Sequence, residues 1–207
     1  MTMANWTLKE YLDRAASGEA TPGGGSVAAI AGAMAASMVT MVTNLTIGKK
    51  GYLEVEAECR AIRERSRLLG AELQELAEAD MRAFESLMAA YRLPRSTETE
   101  TSARLERIQD ALKEAIEVPF RIARACEQVM VLARRLVEIG NRNAVSDAGV
   151  ACFLGEGAAQ SALLNVDINL KAFTDQDLAR RAAGERKAIG ERVASLRAET
   201  SALLVMS

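Results

Sequence analysis

The residue types that could do chemistry fall in separate stretches of this sequence. Asp80 lies in "EADMRAFESLMAAYRLP", among Leu76, Phe84 and Leu87 at three- and four-residue steps. On a helix those steps share one face, so Asp80 belongs to an apolar stripe while Glu78 and Glu85 face solvent. A carboxylate there needs a partner or a task, because an unpaired buried charge is costly. A structural salt bridge and an acid–base role are both open. Gly48-Lys49-Lys50-Gly51-Tyr52 follows a long apolar run. Lysines after a helix end serve its dipole from solvent. The flanking glycines favour instead a chain reversal that aims at least one lysine inward. In "GNRNAVSDAGVA", Asn141, Arg142, Asn143, Ser146 and Asp147 crowd a helix entrance. Capping accounts for one or two of them. Ser161, Asn165 and Asn169 sit four apart on one face of an otherwise apolar segment, and buried amides demand partners. Gly23, Gly24 and Gly25 precede a run of small residues. They either leave backbone N–H groups facing a ligand at a helix N-terminus or make a tight turn with Ser26 as a local cap. The spacing is not that of a nucleotide-binding glycine motif.

The composition narrows the chemistry. The chain has no histidine, so proton transfer falls to Asp, Glu, Lys, Tyr or Cys. Cys59, Cys126 and Cys152 are far apart with no CxxC pair. They predict reduced packing thiols in a cytoplasmic protein, with no catalytic zinc set and no metal site. A net charge of −2 argues against nucleic acid as the partner. With 49% hydrophobic and 26% charged residues over 207 positions, the chain is expected to form one globular domain over 1–207. The start of the chain has neither a basic stretch nor an apolar run, so no signal peptide is expected. Residues 27–42 are apolar but only 16 in number, short of the ~20 that span a membrane. A core helix is expected there, and no membrane partner.

The elements that must position these residues are all helical in pattern. Helices are predicted over 8–16, closed by Gly18, and over 25–47, with Pro22 at the entrance and Gly48 at the exit. The next covers 54–92, with Ile62, Leu69, Leu73, Leu76, Phe84 and Leu87 inward and Pro94 as its stop. Residues 96–102 read as a polar connection. A helix over 103–116 places Leu105, Ile108 and Leu112 on one face. Pro119 either kinks it or begins another, reaching 139, with Ile122, Cys126, Val129, Ala133 and Val137 inward. After a break at 140–145, Ser146 can cap a helix to 171. The last covers 175–204, with Leu178, Ala182, Ile189, Val193 and Leu196 inward. The sum is an all-α, single-domain bundle of about six to seven helices. The second helix carries almost no large side chains, so it belongs at the centre or across a two-fold axis from its own copy.

Three stretches together carry a resemblance. "TPGGGSVAAIAGAMAASMVTMVTNLTIGKKGY", "DMRAFESLMAAYRLP" and "NRNAVSDAGVA…ALLNVDINL" resemble the cyclodeaminase/cyclohydrolase family, over essentially the whole chain. The resemblance implies an all-helical homodimer and a folate substrate, with no cofactor besides. The family offers two reactions. One closes formiminotetrahydrofolate to methenyltetrahydrofolate and releases ammonia. The other hydrolyses 5,10-methenyltetrahydrofolate to 10-formyltetrahydrofolate. The chain most resembles the short stand-alone cyclohydrolases. A non-catalytic helical scaffold or folate-binding dimer is the reading of another class.

The hydrolysis assigns tasks to these side chains. The methenyl substrate is a delocalised cation. Water must attack its bridging carbon, and a ring nitrogen must leave with a proton. Lys49, Asp80 and Asp147 are the expected acid–base candidates. Asp80 is expected to take the proton of the water and Lys49 to protonate the nitrogen, with the reverse assignment open. Asn44 and Tyr52 are expected to orient water. Gly23, Gly24, Gly25 and Ser26, with Asn165 and Asn169, are expected to read the pterin, and Asn141 to bind the substrate. Arg142 or Lys50 is expected to meet the glutamate tail.

Overall fold

The structure, a computed structural model, describes residues 3–206. The expectations for residues 1–207 as a domain and for the start of the chain therefore reach outside the described residues. Among the described residues there are six α-helices and no strand: α1 Leu8–Ala15, α2 Gly24–Thr46, α3 Glu56–Tyr91, α4 Glu98–Ile139, α5 Val145–Leu170 and α6 Gln176–Met206. Short 3-10 turns cover Met3–Asn5, Lys50–Val55 and Arg142–Ala144.

α2 is the hub. Alanines 28, 29, 33, 35 and 36 and Val39 and Val42 are buried on several sides of it, and it packs on α3, α4 and α5. Its small side chains let neighbours come close, as the sequence predicts for a central helix. By length and composition alone α2 could cross a membrane, yet 56% of its most apolar stretch is buried inside the protein. It is longer than the apolar run suggested because polar Thr43, Asn44 and Thr46 continue the helix. Thr43 and Thr46 hydrogen-bond backbone carbonyls of their own helix. α4 lies behind α2 and also packs on α3, α5 and α6.

α2 has no side-chain cap of its own at its N-terminus, where Gly23 stands. Residues distant in sequence serve both of its ends. At the N-terminus the Asp80 carboxylate accepts the Ser26 backbone N–H. At the C-terminus the Asn141 side chain donates to the Leu45 carbonyl at 2.7 Å, and its backbone N–H donates to Thr46 Oγ1 at 2.9 Å. Gly48 then turns the chain with φ +75, in the left-handed region that favours glycine.

Several sequence expectations need correction. α4 begins at Glu98, not after residue 102, because Thr97 and Glu100 form a reciprocal capping box. Pro119 lies inside one continuous helix rather than starting another. Leu105 is 52% exposed and Leu178 38% exposed, since the neighbouring helices do not cover the outer turns where they lie. The turn Lys50–Val55 precedes α3, so that helix starts later than residue 54. Ser146 is not the cap of α5; the N-cap is Ala144 and the helix has already begun at Val145. Glu78 is only 23% exposed and pairs with Arg82, so it is not freely solvated.

Candidate active site

Asp80 projects from α3 onto the first turn of α2. A cavity of about 360 Å³ opens beside it, lined by Thr21, Gly23–Gly25, Asp80, Phe84, Leu87, Tyr91, Ala115, Asn165, Ile168 and Asn169, among others. Among the described residues that line it, no side chain is basic. Asp80 is therefore not the structural salt bridge that its burial first suggests. Burial pushes its pKa up, and the Ser26 N–H only partly offsets this. A half-buried carboxylate with a raised pKa, facing a cavity, suits general base chemistry.

The glycines divide by task. A Cβ on Gly25 would overlap the Asp80 carboxylate, whereas one on Gly24 would meet only the Asn165 amide at 3.7 Å, an ordinary contact. Gly25 is thus needed to admit Asp80 as well as any ligand. Gly25→Ala is expected to displace the carboxylate and reduce turnover roughly 10²-fold, the scale of a 1 Å misplacement. Gly24→Ala is expected to cost far less. Steady-state assays of both variants, with melting curves, check this; equal losses would contradict it.

Ser26 is fully buried, and its Oγ shares a 3.1 Å hydrogen bond with Tyr11 Oη. It is not the local cap of the simpler sequence reading. Tyr11 comes from α1, whose start is fixed by a Thr7–Glu10 capping box. Burial raises the Tyr11 pKa first of all, and the Asp80 charge adds to the rise. Neither the Tyr11 contact nor Tyr91 was singled out in the sequence. Tyr91 had a signal, because it continues the three- and four-residue steps of Asp80, Phe84 and Leu87.

The amides of α5 face the same cavity. Asn165 Nδ2 donates to the Ser161 carbonyl at 2.9 Å, and Asn169 Nδ2 to the Ala115 carbonyl at 2.6 Å. Ser161 itself is exposed and bonds back to Gly157.

The remaining candidates lie at the other end of α2. Its 23 residues at ~1.5 Å each separate the ends by about 34 Å. Lys49 and Lys50 are exposed there, as are Asn44 and Arg142, while Asp147 is half-buried in the first turn of α5. The Tyr52 hydroxyl accepts the Arg142 backbone N–H at 3.0 Å. Tyr52 and Arg142 line a second hollow of about 690 Å³ with Gly140 and Val145. Asn141 donates to the Leu45 carbonyl and accepts the Asn143 N–H, so it secures the α2 terminus. Within one chain, Lys49 neither points inward nor approaches Asp80. No group of three or more metal-ligating side chains is present among the described residues.

The chain belongs to the Formiminotransferase-cyclodeaminase family, whose pattern matches residues 7–188. Over 175 residues it is 46% identical to "Methenyltetrahydrofolate cyclohydrolase" of Methylorubrum extorquens, covering 84% of each chain. It is 32% identical to "Formimidoyltransferase-cyclodeaminase" of Rattus norvegicus over 82% of this chain, but spans only 31% of that protein. The solved structure of formiminotetrahydrofolate cyclodeaminase from Thermotoga maritima superposes with a TM-score of 0.88 at 35% identity, covering 97% of this chain and 96% of that one.

Proposed function

We propose that this chain is a methenyltetrahydrofolate cyclohydrolase acting as a homodimer, with each site built from opposite ends of α2 in two subunits. The observation that carries the reading is the Asp80 carboxylate, half-buried in a cavity without basic lining residues, about 34 Å from the exposed lysines at the far end of its own α2. The likeness to the Methylorubrum extorquens enzyme supports the choice of reaction. α2 and α5 run antiparallel. Asn165 lies near Gly24 at one end, and Asn141 reaches Leu45 at the other. Opposite α4 they expose an apolar face that includes Val27, Met34, Leu45, Val150, Leu164 and Ile168. A second copy docked there about a two-fold axis would cover that face. It would also set the Lys49, Lys50 and Arg142 end of one subunit against the Asp80 end of the other, joining opposite charges.

In this arrangement the carboxylate favours the methenyl cation. The water oxygen bonds to the bridging carbon as one proton passes to Asp80. The bond from that carbon to the ring nitrogen then breaks. Lys49 of the facing subunit protonates the nitrogen, and the hydroxyl proton leaves as the formyl C=O forms. One proton is released overall. Lys50 and Arg142 meet the glutamate tail, and Tyr52 and Asn44 order water. The three buried, unpaired cysteines fit a cytoplasmic setting. The chain, residues 1–207, is read as one domain because its buried apolar residues form one continuous core across α2 to α6.

A cyclodeaminase reading is favoured by the Thermotoga maritima likeness. Two substrates decide between them. Loss of methenyl absorbance well above the buffer rate, without ammonia release from formiminotetrahydrofolate, is the expected result. Ammonia release without methenyl hydrolysis would overturn it. The same assay after exhaustive chelation is expected to give full activity, and a large loss restored by added metal would contradict the metal-free mechanism.

A further inference from the structure

We propose that Tyr11 is a positioning residue for the reacting carboxylate, holding Asp80 in place through Ser26 from the small helix α1. The inference rests on the reading of Asp80 as the base of this site. α1 has one buried side chain, Tyr11, while its Leu8 and Leu12 are exposed. The helix therefore adds little to the core, and what it delivers inward is a phenol. A Thr7–Glu10 capping box fixes its start. The Trp6 ring lies 6.4 Å from that of Tyr11, with the Arg14 guanidinium 4.4 Å from the centre of Trp6. Tyr11 Oη then meets Ser26 Oγ at 3.1 Å, and both residues are buried.

Ser26 differs from the other hydroxyls of α2. Ser37, Thr40, Thr43 and Thr46 give theirs to carbonyls of their own helix. Ser26 stands in the first turn, where residue 22, four positions back, lies outside the helix. Its hydroxyl pairs with Tyr11 instead, while its backbone N–H meets Asp80. Asp80 has no slack against this turn, because its carboxylate fills the space that a Cβ on Gly25 would take. A small shift of the turn therefore moves the carboxylate, and the Tyr11 hydroxyl is a contact that resists the shift. Tyr11 is not among the described residues that line the cavity, so it acts on Asp80 and not on the ligand. Few titratable groups face Asp80. α1 brings Tyr11, and α3 itself brings Tyr91 to the cavity. Among the described lining residues, α2, α4 and α5 bring no charged side chain. In the proposed dimer the facing subunit adds Lys49.

Tyr11→Phe keeps the ring and removes the hydroxyl. Turnover of the methenyl substrate should fall roughly tenfold in kcat, the scale of one hydrogen bond, with KM changed by less than about twofold. The Asp80 carboxyl is followed in the same variants by NMR across pH, its signal assigned by its loss in Asp80→Asn. It should titrate higher in Tyr11→Phe than in wild type, because the Ser26 N–H that favours the charged form is no longer held in place. If Tyr11 only stabilised the fold, activity would fall with no change in this titration; that result, like an unchanged kcat, would overturn the proposal. On a Ser26→Ala background, Tyr11→Phe should alter neither rate nor titration further, since the bond is already gone. A second full loss there would overturn the route through Ser26. The double variant leaves no orphaned hydroxyl in the buried pair, so it serves where Tyr11→Phe alone does not fold, and it too should titrate above wild type. Wild-type protein that leaves the methenyl substrate untouched would count against the proposed reaction, while the carboxyl titration would still decide the role of Tyr11.

Discussion

Asp80→Asn should abolish most turnover while leaving the protein folded. The amide is nearly isosteric with the carboxylate, and its oxygen can still accept the Ser26 N–H at the start of α2. The cost to the fold is therefore small; losing a cap altogether costs about 1 kcal/mol. The cost to chemistry is large, since losing a positioned base typically lowers rates about 10²–10⁴-fold. The pH dependence provides a second signature. A base works only when ionised, and burial raises the Asp80 pKa. Wild-type turnover should fall as pH drops through that raised value, and the residual activity of Asp80→Asn should lack this limb. The raised pKa also means that folding favours the protonated form. This group's contribution to stability is then greatest at low pH and weakens as pH rises through the folded value. Asp80→Asn should accordingly flatten the part of the stability profile over which Asp80 titrates. Near-normal turnover in a folded Asp80→Asn protein would move attention to Asp147.

The sequence carried the helices more fully than their joints. Apolar spacing placed α3, α5 and α6 to within a few residues, because burial on one face imposes a helical period. It misjudged the start of α4, where a Thr–Glu capping box outweighed a polar stretch. It also left Leu105 and Leu178 inward when no neighbour covers them. Asp80 was legible as a carboxylate on an apolar stripe, and Gly25 as part of a ligand-facing helix entrance or a tight turn. That Gly25 makes room for Asp80 was not legible, because the two lie 55 residues apart in sequence. The hydrogen bond from Asn169 to the Ala115 carbonyl, which Pro119 leaves without a helical partner, was hidden for the same reason. A missing N–H is written in the sequence, but its replacement comes from another helix. The separation of Lys49 from Asp80 follows from the length of α2. Counting helix rise would have shown from the sequence that Lys49 and Asp80 lie too far apart to meet within one chain.

Lys49→Met should also lose turnover, and its loss should be curable by a different broken subunit. In a two-fold assembly each site takes Asp80 from one chain and Lys49 from the other. A mixed dimer of Lys49→Met and Asp80→Asn chains then has one intact site and one doubly damaged site. Random reassortment makes about half the dimers mixed, so the mixture should regain roughly a quarter of wild-type activity. Lys50→Met, assigned to the glutamate tail, should retain most of its kcat and raise KM. The decisive measurement is the rate of methenyl absorbance loss after the two inactive variants are unfolded together, refolded and assayed against each variant treated alone. Activity near a quarter of wild type, with neither parent recovering, is the result expected of a site shared between subunits. A mixture no more active than its parents, in protein shown to have exchanged subunits, would contradict it.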